Sequence, residues 1–192
     1  MKTLKNSLAA VFAAILIGIA PAALFAKPAT APDSASTAAA NTQLAKEVRH
    51  RLLMLPYYGV FDNLAFSIDG SRVTLYGQVV RPSTRSDAER SISKIDGVSE
   101  VVNKIEVLPL SSFDDSIRAR TYREIARTGG LYRYLMGANP SLHIIVNNGH
   151  VTLTGMVGNK MDQQLAYIAA SRVFGSFSVT NELQVDGDSR AR

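Results

Sequence analysis

The sequence predicts an α+β fold: two tandem αββαβ modules, each a small three-stranded mixed sheet with two helices packed on one face. Three observations carry this expectation. The stretch VTLYG at residues 73 to 77 returns as VTLTG at 151 to 155, and the two copies stay in register without a gap from Leu64 to Val107 and from Leu142 to Val185. Only 12 of these 44 pairs are identical, but they include Leu64/Leu142, Val73/Val151, Leu75/Leu153, Gly77/Gly155, Gly97/Gly175, Val101/Val179 and Asn103/Asn181, which is the signature of a repeated unit. Inside each copy, apolar residues alternate with polar ones in two runs and then recur at helical spacing.

The hairpin comes first. Leu142, Ile144 and Val146 alternate along one run and Val151 and Leu153 along the next, separated by Asn148-Gly149, a pair suited to the two positive φ angles of a type I′ turn. Taking those two as the loop pairs Val146 with Val151 and Ile144 with Leu153, which gathers the large apolar residues on one face. In the first copy Gly70-Ser71 makes the turn, pairing Ile68 with Val73 and Phe66 with Leu75 and setting Asp69 opposite Arg72. Gly77 and Gly155 mark a bulge or a close approach to a helix.

A helix follows in each copy. Pro82 opens the first, Ala88, Ile92 and Ile95 form its stripe, and Gly97 suits a left-handed cap. Ala166, Ala169, Ala170, Val173 and Gly175 repeat the arrangement. A last strand, with Val101, Asn103, Ile105 and Val107 alternating, completes the module. Ahead of the hairpins, Leu44, Val48, Leu52 and Leu55 mark a helix; Ile117, Thr121 and Ile125 mark its weaker counterpart, followed by Gly129-Gly130 and LYRYLMG.

Residues 1–26 carry Lys2 and Lys5, an apolar run and a small-residue exit, the pattern of a secretory signal peptide with Ala26 the expected last residue removed. The apolar run is shorter than the roughly 20 residues of a spanning helix. Residues 27–40, rich in Ala, Pro, Ser and Thr, read as a flexible linker without fold. The modules then occupy 41–109 and 114–187. The chain has no cysteine, so neither disulfides nor a lipoprotein anchor is expected. Without Lys2 and Lys5, 19 basic residues face 16 acidic ones, a net charge of +3, too slight for a nucleic-acid binder.

The in-register set V-T-L-x-G and G-V/F-x-x-V-x-N, repeated behind a signal peptide, with SLHIIVNNGHVTLTGMVGN the most typical phrase, resembles the BON domain, a family that includes the OsmY-like periplasmic proteins. The resemblance covers 41–109 and 114–187. It implies a periplasmic protein associated with osmotic stress, contact with phospholipid membranes or envelope proteins, and no enzymatic activity.

The residues themselves offer little chemistry. His143 falls opposite Thr154 and roughly 13 Å along the strand from His150, too far apart to share a metal; His50, His143 and His150 read as surface histidines. Asp114 and Asp115 precede a helix and read as capping residues. No catalytic triad or phosphate loop is visible, and neither cofactor nor metal is expected. One constellation remains. Arg120, Arg123 and Arg127 share a helix face, and Leu131, Tyr132, Arg133, Tyr134, Leu135 and Met136 follow: arginines for anionic headgroups beside aromatic and aliphatic side chains for the interface. Lys46, Arg49 and LLMLPYYGVF echo it in module one. The competing reading is a plain solvated face for the arginines and packing for the Tyr and Leu residues.

The expectation is therefore a non-enzymatic envelope protein that contacts anionic phospholipid surfaces. The alternative is a chaperone-like or protein-interaction module for envelope proteins; small-cation binding, a third reading by family analogy, has no acidic cluster behind it.

Overall fold

The computed structural model describes residues 34–186; the expected signal peptide lies outside the described residues. The first helix, α1 (Ser34–Leu53), begins inside the segment expected to have no fold, because its Ala-rich opening carries high intrinsic helix propensity. Then come β1 (Asn63–Asp69), β2 (Arg72–Val79), α2 (Pro82–Ile92), β3 (Glu100–Asn103) and β4 (Glu106–Val107). Module two follows with α3 (Ser112–Arg127), a 3₁₀ turn over Leu131–Tyr134, β5 (Leu142–Asn147), β6 (His150–Val157), α4 (Lys160–Ser171) and β7 (Ser178–Val185).

Both sheets are mixed, as expected. In each, an antiparallel hairpin is joined by a final strand lying parallel to its second arm: β3 and β4 on β2, β7 on β6. The registers match the sequence reading residue for residue, with Ile144 facing Leu153 and Val146 facing Val151, and Phe66 facing Leu75 and Ile68 facing Val73. Asn148 and Gly149 both take positive φ, 50° and 79°, the I′ combination.

Each module has its own core. Val48, Leu52, Val73, Leu75, Val79, Ala88, Ile92 and Ile105 form the first; Ile117, Ile125, Leu131, Leu135, Leu142, Ile144, Leu153, Ala166 and Ala170 are among those forming the second. The repeated asparagines clamp the last strand. Asn103 Oδ1 accepts the N–H of Ile105 while its amide donates to the carbonyl of Arg85 on α2, and Asn181 makes the same pair of bonds with Leu183 and with Gln163 on α4.

Gly77 and Gly155 are required for a reason other than a helix contact. Both have positive φ, and a Cβ at either would lie 2.0 Å from the carbonyl oxygen of Asn63 or 2.1 Å from that of Ser141, the backbone entering the partner strand. Arg72 does stand opposite Asp69, but its guanidinium pairs with Glu100 at 2.8 Å on the neighbouring parallel strand.

The modules meet through the loop between α1 and β1. The N–H of Ile144 donates to the carbonyl of Val60 at 2.7 Å, Phe61 stacks edge-on against Tyr122 with centroids 6.3 Å apart, and Val60 and Phe61 pack on the core of module two. Asp62, almost fully buried, shapes this loop by accepting the N–H groups of Gly59 and Val80.

Candidate functional site

Helix α3 starts at a well-formed cap, with Ser111 Oγ accepting the N–H of Asp114. Ile117, Thr121 and Ile125 turn inward, so the 3.6-residue period leaves Arg120, Arg123 and Arg127 on the opposite, exposed face. Arg120 Nη1 donates to the carbonyl of Phe174 at 2.9 Å and Arg123 Nε to that of Ala119 at 3.1 Å. Among the described residues none of the three forms an ion pair, so their charge remains available to an anion in solution.

The segment after the helix divides. Leu131 and Leu135 belong to the core and offer nothing to a surface. Arg133 and Tyr134 turn toward Asp162, whose carboxylate accepts from the guanidinium at 2.6 Å, from the phenol at 2.7 Å and from Asn159 at 2.9 Å. This cluster ties the 3₁₀ turn to the start of α4. Only Tyr132 and Met136 remain as exposed apolar side chains, more than half accessible.

A second apolar group, which sequence reading did not single out, lies at the pole of module two formed by its hairpin turn. Phe113 at the start of α3 and Phe174 and Phe177 in the loop from α4 to β7 are 46, 87 and 70% exposed, a cost in water that a soluble core would have avoided. The rings of Phe113 and Phe177 lie 5.9 Å apart, and His150 meets Phe177 edge-on at 5.8 Å. The bond from Arg120 to the carbonyl of Phe174 joins this aromatic pole to the arginine face.

Local geometry explains why the rings gather. Gly149 in the turn leaves room for Phe177, since a Cβ there would stand 2.7 Å from its ring. The carboxylate of Asp114 accepts the N–H of Asn148 at 2.9 Å and of Gly149 at 2.8 Å, fixing the turn against the start of α3. Asp114 therefore does more than cap a helix, and Asp115 instead pairs with Arg118, whose other arm donates to the carbonyl of Val146. The equivalent positions of module one, in repeat register, are Asp96 for Phe174, Ser99 for Phe177 and Arg72 for His150. The signal was thus present in the sequence, as a departure of one copy from the other.

Module one's echo divides as well, with Leu53, Met54 and Tyr57 left exposed. Tyr58 to Phe61 are taken up in the contact between modules, and Tyr57 lies under the guanidinium of Arg81 at 4.7 Å. Of the three histidines, His50 and His150 are exposed as expected, whereas His143 is only 8% exposed, because the loop of module one covers the strand face that an isolated module would leave open. Among the described residues no three His, Cys, Asp or Glu side chains converge as metal ligands.

The sequence model of one family, the BON domain, matches residues 40–109 and again 113–187. The chain belongs to the BON-domain family. Two solved structures are similar to this tandem-BON chain: the C-terminal domain of CdsD, the structural protein of the Chlamydia trachomatis type III secretion system, at 11% identity over 75% of this chain and 98% of that one with a TM-score of 0.31, and a second CdsD structure at 12% identity over 78% and 96% with a TM-score of 0.28. No curated protein matches. BON membership suggests an envelope protein that meets membrane phospholipid, in a family generally without catalytic chemistry. Among the described residues no helix is long and apolar enough to cross a membrane.

Proposed function

We propose that this tandem-BON chain is a non-enzymatic periplasmic protein of the envelope stress response, osmotic stress included, that binds anionic phospholipid surfaces reversibly through module two. The observation that carries the reading is the exposure of Phe113, Phe174 and Phe177 beside Arg120, on the copy of the repeat that also bears Arg123 and Arg127. Aromatic side chains partition into the headgroup and acyl boundary, and arginines add attraction to negative lipid. Tyr132 and Met136, beyond the other end of α3, extend the contact along the helix. Family membership and the leader expected at residues 1–26 support the setting in the periplasm and in osmotic stress.

The test is co-sedimentation of the chain from Lys27 onward with phosphatidylcholine vesicles and with vesicles containing phosphatidylglycerol, at low and high salt. Binding should favour the anionic vesicles, weaken with salt because exposed charges are screened, and fall in Arg120→Ser/Arg123→Ser/Arg127→Ser. Absence of binding to either vesicle at low salt would overturn the reading and transfer the aromatic pole to an envelope protein as partner.

A further inference from the structure

The contact between the modules is organised around a histidine. His143 lies next to Ile144, whose N–H holds the carbonyl of Val60, and both of its ring nitrogens are engaged by the loop of module one. Nδ1 lies 3.3 Å from the carbonyl oxygen of Gly59 and Nε2 lies 3.4 Å from the hydroxyl of Tyr58. A carbonyl can only accept, so Nδ1 carries the hydrogen and Nε2 is left to accept from Tyr58. The neutral imidazole therefore satisfies both partners at a site that is 8% exposed. A proton on Nε2 turns the phenol oxygen of Tyr58 from donor into acceptor and places a cation where little water reaches it, and the burial of that charge is what opposes the docked state.

We propose that the junction between the two modules is a pH-sensitive latch operated by His143, closed while the imidazole is neutral and released when it is protonated. The titratable and charged groups packed around it are Tyr58 and Asp62 on the loop, with Arg81 and Arg118 acting on Asp62; on β6 the residue opposite is the neutral Thr154. Burial lowers the pKa of His143, against the opposing pull of the carbonyls of Gly59, Asp62 and Pro140. A base whose pKa is lowered on docking holds the docked state fully above its free value of about 6.5 and progressively less below it. Burial raises the pKa of Asp62, which favours the docked state on acidification and so works in the opposite sense. The histidine's part is isolated by substitution.

Hydrogen exchange in the full mature chain reads the latch directly. Between pH 7.5 and 5.5 the protection factor of the Ile144 amide should fall about threefold or more, with about tenfold the ceiling for one group whose free pKa is about 6.5, while that of Ile145, inside the β5–β6 ladder, stays unchanged. In His143→Gln, which keeps a donor and an acceptor but cannot charge, the fall should disappear. An unchanged Ile144 amide in the wild type, or the same fall in His143→Gln, would overturn the proposal. Should that variant fail to fold, the imidazole titration of His143 in the wild type decides: a midpoint below about 6.5 supports the latch, and one at or above it overturns the latch.

Discussion

The carboxylate of Asp114, fully buried at the start of α3, holds the N–H groups of both Asn148 and Gly149 in the hairpin turn. One side chain thus fixes a turn 34 residues away and, with it, the floor on which Phe177 rests. Replacing Asp114 with Ala leaves two N–H groups without partners, and a cost of about 3 kcal/mol in unfolding free energy is expected from the loss of charge-assisted bonds to buried donors. Urea denaturation measures the cost, and amide exchange at Gly149 should rise in parallel.

Gly155 and Gly97 are both glycines with positive φ, but only one faces an obstacle. A Cβ at Gly155 would lie 2.1 Å from the carbonyl oxygen of Ser141, whereas one at Gly97 would meet nothing within 4 Å. Gly97→Ala should therefore cost only the left-handed strain, about 1 kcal/mol. Gly155→Ala adds a backbone collision and should exceed about 3 kcal/mol. Paired denaturation curves compare them, and equal losses would contradict the close approach of β5 to β6.

Tyr58 titrates unlike an exposed phenol. Its pKa is pushed up to about 12, by burial first and by the carboxylate of Asp62 second. A group whose folded pKa lies above the unfolded value contributes stability below about pH 10 and loses it as pH rises through the folded value. Alkaline titration followed by tyrosinate absorbance should show one residue ionising last. Tyr58→Phe should flatten the loss of stability between about pH 10 and 12, a contribution of about 1 kcal/mol after allowance for partial solvent access.

Phe174 is 87% exposed, so burial in this chain cannot be its purpose. Phe174→Ser should leave the melting temperature unchanged within about 2 °C and weaken binding to anionic vesicles roughly tenfold, the value of losing one interfacial aromatic anchor. A fall in stability with unchanged vesicle binding would assign the ring to packing instead.

Much of the fold was legible because its determinants are local. Alternation along Leu142, Ile144 and Val146, together with Asn148-Gly149, fixes a register that has only one apolar solution, and the structure adopts it. The arginine face of α3 was legible for the same reason, since three positions on one helix need no tertiary information. What escaped depends on distant segments meeting. Phe113 lies in a stretch separate from Phe174 and Phe177 and meets Phe177 only through tertiary folding, and His143 reads as an outward strand position until a loop of the other module covers it. Leu131 and Leu135 share a six-residue patch with Tyr132 and Met136, and composition could not say which members the core would take.

The loop that closes over β5 has a further consequence for how the duplication can be taken apart. Val60 and Phe61 belong by sequence to the first copy but pack, half-buried, against the core of the second. Cleavage between the copies, by a protease or by a cloning boundary near residue 110, would leave the second copy with an open slot and an unanswered N–H at Ile144. An edge strand in that state seeks another strand, so the severed half should precipitate or self-associate where the intact chain does not.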